Sequence, residues 1–109
     1  MNWEKGFVLG TGLLAIISVS NVSANPDDKS VALYKQKCAA CHGADGKGDT
    51  PAGKSTKVRS FSDPEVAKQT DDELAAVIDK GKNKMPAYAK SLTAEEIKAL
   101  VAYVRTLVK

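Results

Sequence analysis

Cys38 and Cys41 are separated by two alanines and followed at once by His42, the chain's only histidine. Side chains three and four positions apart on a helical turn share a face. Two thiols and one imidazole can therefore reach a flat ligand from the same side. This C-x-x-C-H spacing is that of covalent haem attachment. The cysteines form thioethers with vinyl groups on one edge of the porphyrin, and the histidine points at the iron. Ala39 and Ala40 keep the turn small where a macrocycle must approach the backbone. Three other uses compete. A structural disulfide leaves His42 unexplained. A thioredoxin-like redox pair needs a βαβ context. A structural zinc site needs four ligands, so a carboxylate would have to join the three residues present.

An iron that passes electrons without oxygen chemistry needs a sixth ligand, and a soft thioether sulfur raises the reduction potential. Besides Met1, the sequence holds one methionine, Met85. It follows Lys82-Asn83-Lys84 and precedes Pro86, so it belongs to no apolar helical stripe. The alternative is a methionine that fills a gap in the core. Pro86 disfavours helix at the residue before it, which helps to hold the sulfur in place.

The elements that must position these residues read as helices. The first runs from about Asp28 to Cys41, with Val31, Tyr34, Cys38 and Cys41 on one stripe and Asp27 or Asp28 as cap. Gly43 to Thr56 has no apolar periodicity and reads as a loop. Asp63-Pro64 opens a short helix. Thr70 and Glu73 form a capping box before a stripe of Leu74, Val77 and Ile78, with Gly81 as the stop. Lys82 to Ser91 is a second irregular stretch. Thr93 and Glu96 form another capping box, with Leu92 and Ile97 as a hydrophobic staple. Ile97, Leu100, Val101, Val104 and Leu107 repeat at the helical period. No segment alternates like a strand, so the fold class is all-α. Long loops in so small a domain are usually functional.

Met1 to Ala24 reads as a secretory signal peptide, with Lys5 near its start, a mostly apolar run, and Val22-Ser23-Ala24 at the cleavage site. The run is short for a membrane span and is diluted by Gly10, Thr11 and Gly12, although a retained anchor is the alternative. Residues 25–109 then form the mature domain. More than a third of the apolar residues between Val31 and Val108 are alanine, so the core is limited in bulk. Domains this small often rely on a disulfide, a metal or a cofactor. A net charge of +3 over 109 residues excludes a strongly charged disordered tail and does not point to nucleic acid.

From Val31 to Lys109 the chain resembles a small class I cytochrome c. The matching residues are Leu33-Tyr34, Cys38-Ala39-Ala40-Cys41-His42-Gly43, the glycine-rich loop from Gly46 to Gly53, Lys84-Met85-Pro86, and Leu100-Val101-Ala102-Tyr103-Val104. The resemblance implies three to four helices wrapped around one covalently attached haem c, with one haem edge near solvent. It implies that the first and last helices cross with Tyr34 and Tyr103 near the contact. It further implies that the Pro51 carbonyl accepts the other imidazole N–H, raising the basicity of the ring; a plain turn proline is the alternative. The chain has Ser30 where the family often has a glycine at the crossing. Its only tryptophan, Trp3, lies in the leader, so Lys54, Lys57, Arg59 or a tyrosine would have to neutralise the haem propionates.

Two further motifs carry no function. Gly48 to Ser55 fits the P-loop expression, but no strand precedes it and no helical pattern follows it. Asp45 to Asp49 resembles part of a calcium loop that lacks its acidic residue at position twelve, where Thr56 stands. The residues together imply an exported, periplasmic, monomeric electron carrier, with His42 and Met85 on the iron and no catalysed bond change. Lys80, Lys82, Lys84 and Lys90 would form a positive rim that steers acidic redox partners. The alternatives are a haem sensor or peroxidase-like protein with a labile Met85, and a cytochrome subunit tethered to a respiratory or dehydrogenase complex by an uncleaved leader.

Overall fold

The computed structural model describes residues 27–109, together with Gly10 and Gly12. Apart from those two glycines, the expected leader and its cleavage site lie outside the described residues. No helix among the described residues is long and apolar enough to cross a membrane.

Six helical segments follow one another: α1 (Asp28–Lys37), α2 (Ala39–His42), α3 (Pro51–Thr56), α4 (Pro64–Ala67), α5 (Asp71–Lys80) and α6 (Ala94–Thr106). Among the described residues, the only β pairing is an isolated bridge between Lys82 and Met85. The all-α expectation is met.

Local chemistry sets most of the helix ends. The Asp27 carboxylate accepts the Ser30 N–H at 2.7 Å. Asp63 caps α4 ahead of Pro64 at its first position. Thr93 and Glu96 satisfy each other's backbone N–H groups at the start of α6. At α5 only half of the expected box forms, because Thr70 Oγ1 accepts from Glu73 N–H without a return bond. Gly81 ends α5 with φ +74 and ψ 169, an extended mirror-image conformation open essentially to glycine.

Two expectations need correction. The first helix does not run through to Cys41: Cys38 takes φ −117, and α1 breaks there into the separate turn α2. The stretch from Gly43 to Thr56 is not all loop. Thr50 caps α3, and Pro51 occupies its first turn. This helix lacks an apolar stripe because it packs through a bare glycine, Gly53, against the backbone of α2.

α6 is the platform, with α1 and α5 both packed on it. Tyr34 of α1 meets Tyr103 of α6 edge to face, with ring centroids 4.9 Å apart. Ser30 stands where a glycine is often found and is only 1% exposed. It fits because its hydroxyl folds back to donate to the Asp27 carbonyl at 2.8 Å, so no polar group is stranded at the crossing. The buried apolar side chains are Tyr34, Phe61, Leu92, Ile97, Leu100 and Val101. Leu92 and Ile97, the two halves of the staple, both lie in that core.

Arg105 adds a clamp. Its guanidinium donates to Asp71 Oδ1 at 3.0 Å, to the Ala67 carbonyl at 2.9 Å and to the Gln69 carbonyl. One side chain of α6 thereby holds the end of α4 and the start of α5.

Candidate functional site

A cleft of about 380 Å³ opens between α1–α2, α5, α6 and the segments 56–61 and 82–88. A volume of this order suits a sizeable organic ligand. Its apolar walls come from Leu74, Val77 and Ile78 of α5 and Leu100, Val101 and Val104 of α6. The α5 stripe therefore faces the cleft, and its three residues stay half-buried.

Cys38, Cys41, His42 and Met85 all line this cleft. Both cysteines are free thiols. Burial pushes the Cys38 thiol up to about 11. A reactive redox pair needs the opposite shift, toward thiolate. Burial holds His42 below the ordinary imidazole range. It is thus neutral at neutral pH, the form whose lone pair ligates a metal. Among the described residues no three His, Cys, Asp or Glu side chains are placed together to hold a metal ion, so the four-ligand zinc alternative finds no support.

The short turn that carries the motif cannot satisfy its own carbonyls, and the following loop does so instead. Gly43 N–H donates to Ala39 O at 2.9 Å, and Gly48 N–H donates to His42 O at 2.8 Å. Thr50 Oγ1 lies 2.7 Å from Ala40 O and 3.0 Å from Cys41 O, and it accepts the Gly53 N–H at 2.9 Å. The buried Tyr34 hydroxyl donates to Gly43 O at 2.6 Å. Desolvation raises the Tyr34 phenol well above its ordinary value, which keeps it a donor. A Cβ on Gly53 would lie 2.3 Å from Cys41 O. Only glycine lets α3 come this close.

The imidazole itself is held by stacking. The Phe61 ring lies 4.8 Å from that of His42, with 22° between their planes. Gly46 makes room for it, since a Cβ there would come 2.5 Å from Phe61 Cδ2. His42 Nδ1 is buried without a hydrogen-bond partner. The expected bond to the Pro51 carbonyl does not form. Pro51 is the first residue of α3, and helix carbonyls point along the helix axis.

Met85 sits on a tight hairpin. Lys82 N–H donates to Met85 O at 3.1 Å, and Met85 N–H donates to Lys82 O at 2.9 Å. Asn83 accommodates φ +55 at the turn. Behind it, Tyr88 N–H donates to Ile78 O at 2.9 Å and Ala89 N–H to Asp79 O at 3.1 Å. The hairpin is thus tied to the last turn of α5.

The cleft is also lined by Lys37, Lys57, Arg59, Lys82 and Lys84, against a single acid, Glu65. Glu65 is already paired with Lys68 at 2.9 Å. Of the cations suggested for the propionates, Lys57 and Arg59 line the cleft and Lys54 does not. Of the suggested rim, Lys82 and Lys84 line it, while Lys80 and Lys90 are exposed elsewhere.

The residues present fit a haem. Two free thiols, a neutral imidazole and a thioether converge on one apolar cleft, and the flanking cations match carboxylate substituents. Residues that sequence reasoning missed are Thr50, Phe61 and Tyr88. Thr50 before Pro51 was a readable cap signal; the others act only through distant contacts.

All-α architecture and this cleft define a small c-type cytochrome. Residues 25–104 match the family described as cytochrome c oxidase, cbb3-type, subunit III. The chain is 38% identical over 98 residues to cytochrome c-553 of Helicobacter pylori strain ATCC 700392 / 26695, covering 86% of this chain and 92% of that protein. It is 33% identical over 72 residues to cytochrome c6 of Parathermosynechococcus lividus, covering 66% and 79% respectively. The structure of the KustC0563 c-type cytochrome superposes with a TM-score of 0.68 at 39% identity, covering 73% of this chain and 98% of that one. The chain belongs to this family of c-type cytochromes, whose cofactor is covalently bound haem c.

Proposed function

We propose that this chain is an exported, single-haem electron carrier, with residues 25–109 as its mature domain. Cys38 and Cys41 would hold the haem through thioethers, and His42 and Met85 would ligate its iron. The observation that carries this reading is that His42 on α2 and Met85 on the 82–85 hairpin line the same apolar cleft. A haem held there would supply one-electron chemistry between ferric and ferrous iron, with no substrate bond made or broken.

The chain's own residues do the rest. Thr50 and Gly48 fix the backbone of the Cys38–His42 turn, and Phe61 orients the imidazole. The α5 and α6 side chains exclude water, which tunes the potential through burial. The cations around the cleft favour acidic redox partners and brief, small interfaces. His42 is used as a ligand, so no second histidine is left for acid–base work on a bound substrate, which supports a carrier over an enzyme. Export to the periplasm rests on the sequence of Met1 to Ala24.

The test is an optical spectrum in both oxidation states, taken on protein exported by a host with haem-maturation machinery. A sharp reduced c-type spectrum and the weak far-red ferric band of iron–methionine ligation are expected. Met85→Ala is expected to keep the first and abolish the second. A wild-type spectrum without the far-red band removes Met85 as ligand and moves the reading to the sensor or peroxidase class. The family's description as an oxidase subunit favours a second reading, a cytochrome tethered to a larger complex. The mass of the mature chain separates the two, since a tethered subunit retains its leader.

A further inference from the structure

α1 ends at Lys37, one residue before Cys38, and the last carbonyls of a helix have no partner within it. The Lys37 carbonyl finds one 51 residues away, accepting the Tyr88 hydroxyl at 3.2 Å. Tyr88 lies three residues beyond Met85, across Pro86, and it lines the cleft beside Cys38 and Cys41. Among the described residues this is the only hydrogen bond between the segment 81–91 and the segment 28–43. Every other hydrogen bond of the Met85 loop stays within residues 81–92 or runs to the end of α5. With the hydroxyl removed, nothing polar fixes the separation between the wall that carries Met85 and the wall that carries the cysteines.

We propose that Tyr88 is a positioning residue for Met85: its hydroxyl straps the Met85 loop to the Cys38-bearing helix end, keeping the sulfur in place and the sixth coordination position closed to small ligands. This rests on Met85 ligation as proposed above. The strap is one neutral hydrogen bond. Its loss shifts the balance between closed and open loop by about fivefold, within a range of about two- to tenfold.

The experiment compares wild-type holoprotein with Tyr88→Phe, which keeps the ring and deletes the hydroxyl. Thr93→Ala is the control: it removes the α6 cap outside the cleft and lowers global stability without touching the loop. Three quantities are read: the far-red ferric band, the rate of carbon monoxide binding to the ferrous protein, and amide hydrogen exchange across 82–89. The proposal expects carbon monoxide binding about fivefold faster in Tyr88→Phe. Loop exchange should accelerate similarly, and Thr93→Ala should match wild type on both counts. Unchanged carbon monoxide binding in Tyr88→Phe overturns the proposal, whether or not loop exchange accelerates. So does an equal rise in both variants, which would mark a merely structural effect. A wild-type protein without the far-red band overturns Met85 ligation and the strap's role together. A normal band with an inert Tyr88→Phe overturns the strap alone.

Discussion

Gly53→Ala sets two effects of opposite sign against each other. Gly53 is a helical residue with no positive φ, so propensity alone favours alanine there by about 1 kcal/mol. Space forbids it. The new Cβ would sit 2.3 Å from the Cys41 carbonyl oxygen and 2.5 Å from that of Gly48, where ordinary contact begins near 3.4 Å. Both obstacles are backbone and cannot rotate away. α3 must retreat by about 1 Å, the shortfall against ordinary contact. That retreat stretches the contact of the Thr50 hydroxyl, now 2.7 Å from Ala40 O and 3.0 Å from Cys41 O. One hydroxyl proton shared between two carbonyls counts as one bond, worth about 1 kcal/mol in net terms. Residual overpacking against two fixed carbonyls adds about 2 kcal/mol. After the propensity gain, the variant is expected to lose about 2 kcal/mol, a large share of a small domain's stability. For a domain of this size that is a fall of about 8 to 16 °C in Tm. Thermal unfolding of the holoprotein measures it, and the fraction of chains with covalent haem reports whether the Cys38–His42 turn still presents its thiols. An unchanged or raised Tm with full haem attachment would falsify the argument that α3 seats the motif by backbone contact.

Arg105→Met keeps the apolar stem and deletes three hydrogen bonds; it should cost about 2 kcal/mol, most of it from the Ala67 and Gln69 carbonyls. Asp71 is 75% exposed, so Asp71→Asn should cost under about 1 kcal/mol; equal losses in the two variants by denaturant titration would contradict this division. Electron transfer to an acidic redox partner should slow as ionic strength rises, because the cleft is flanked by five cations and one acid that is already paired. A rate indifferent to salt removes the steering role of Lys82 and Lys84.

Features carried by residues three or four apart were legible in the sequence. The Cys38-Ala39-Ala40-Cys41-His42 spacing, the Thr93–Glu96 box and the Asp63-Pro64 start each depend on neighbours that a helical turn brings together whatever the rest of the chain does. The all-α class followed from the same periodicity, and the crossing of α1 with α6 at Tyr34 and Tyr103 followed from family resemblance. The break at Cys38, the helix at 51–56 and the seating of His42 were not legible. α3 has no apolar stripe to read, because its contact surface is the missing side chain of Gly53. The imidazole is flanked by Phe61, 19 residues away in sequence, in place of the expected Pro51 carbonyl. Arg105 finds its acceptors 34 to 38 residues away, and Tyr88 finds Lys37 at a separation of 51. Local spacing determines which groups share a turn. Which carbonyl a distant hydroxyl or guanidinium meets depends on how the helices pack, and only the folded chain decides that.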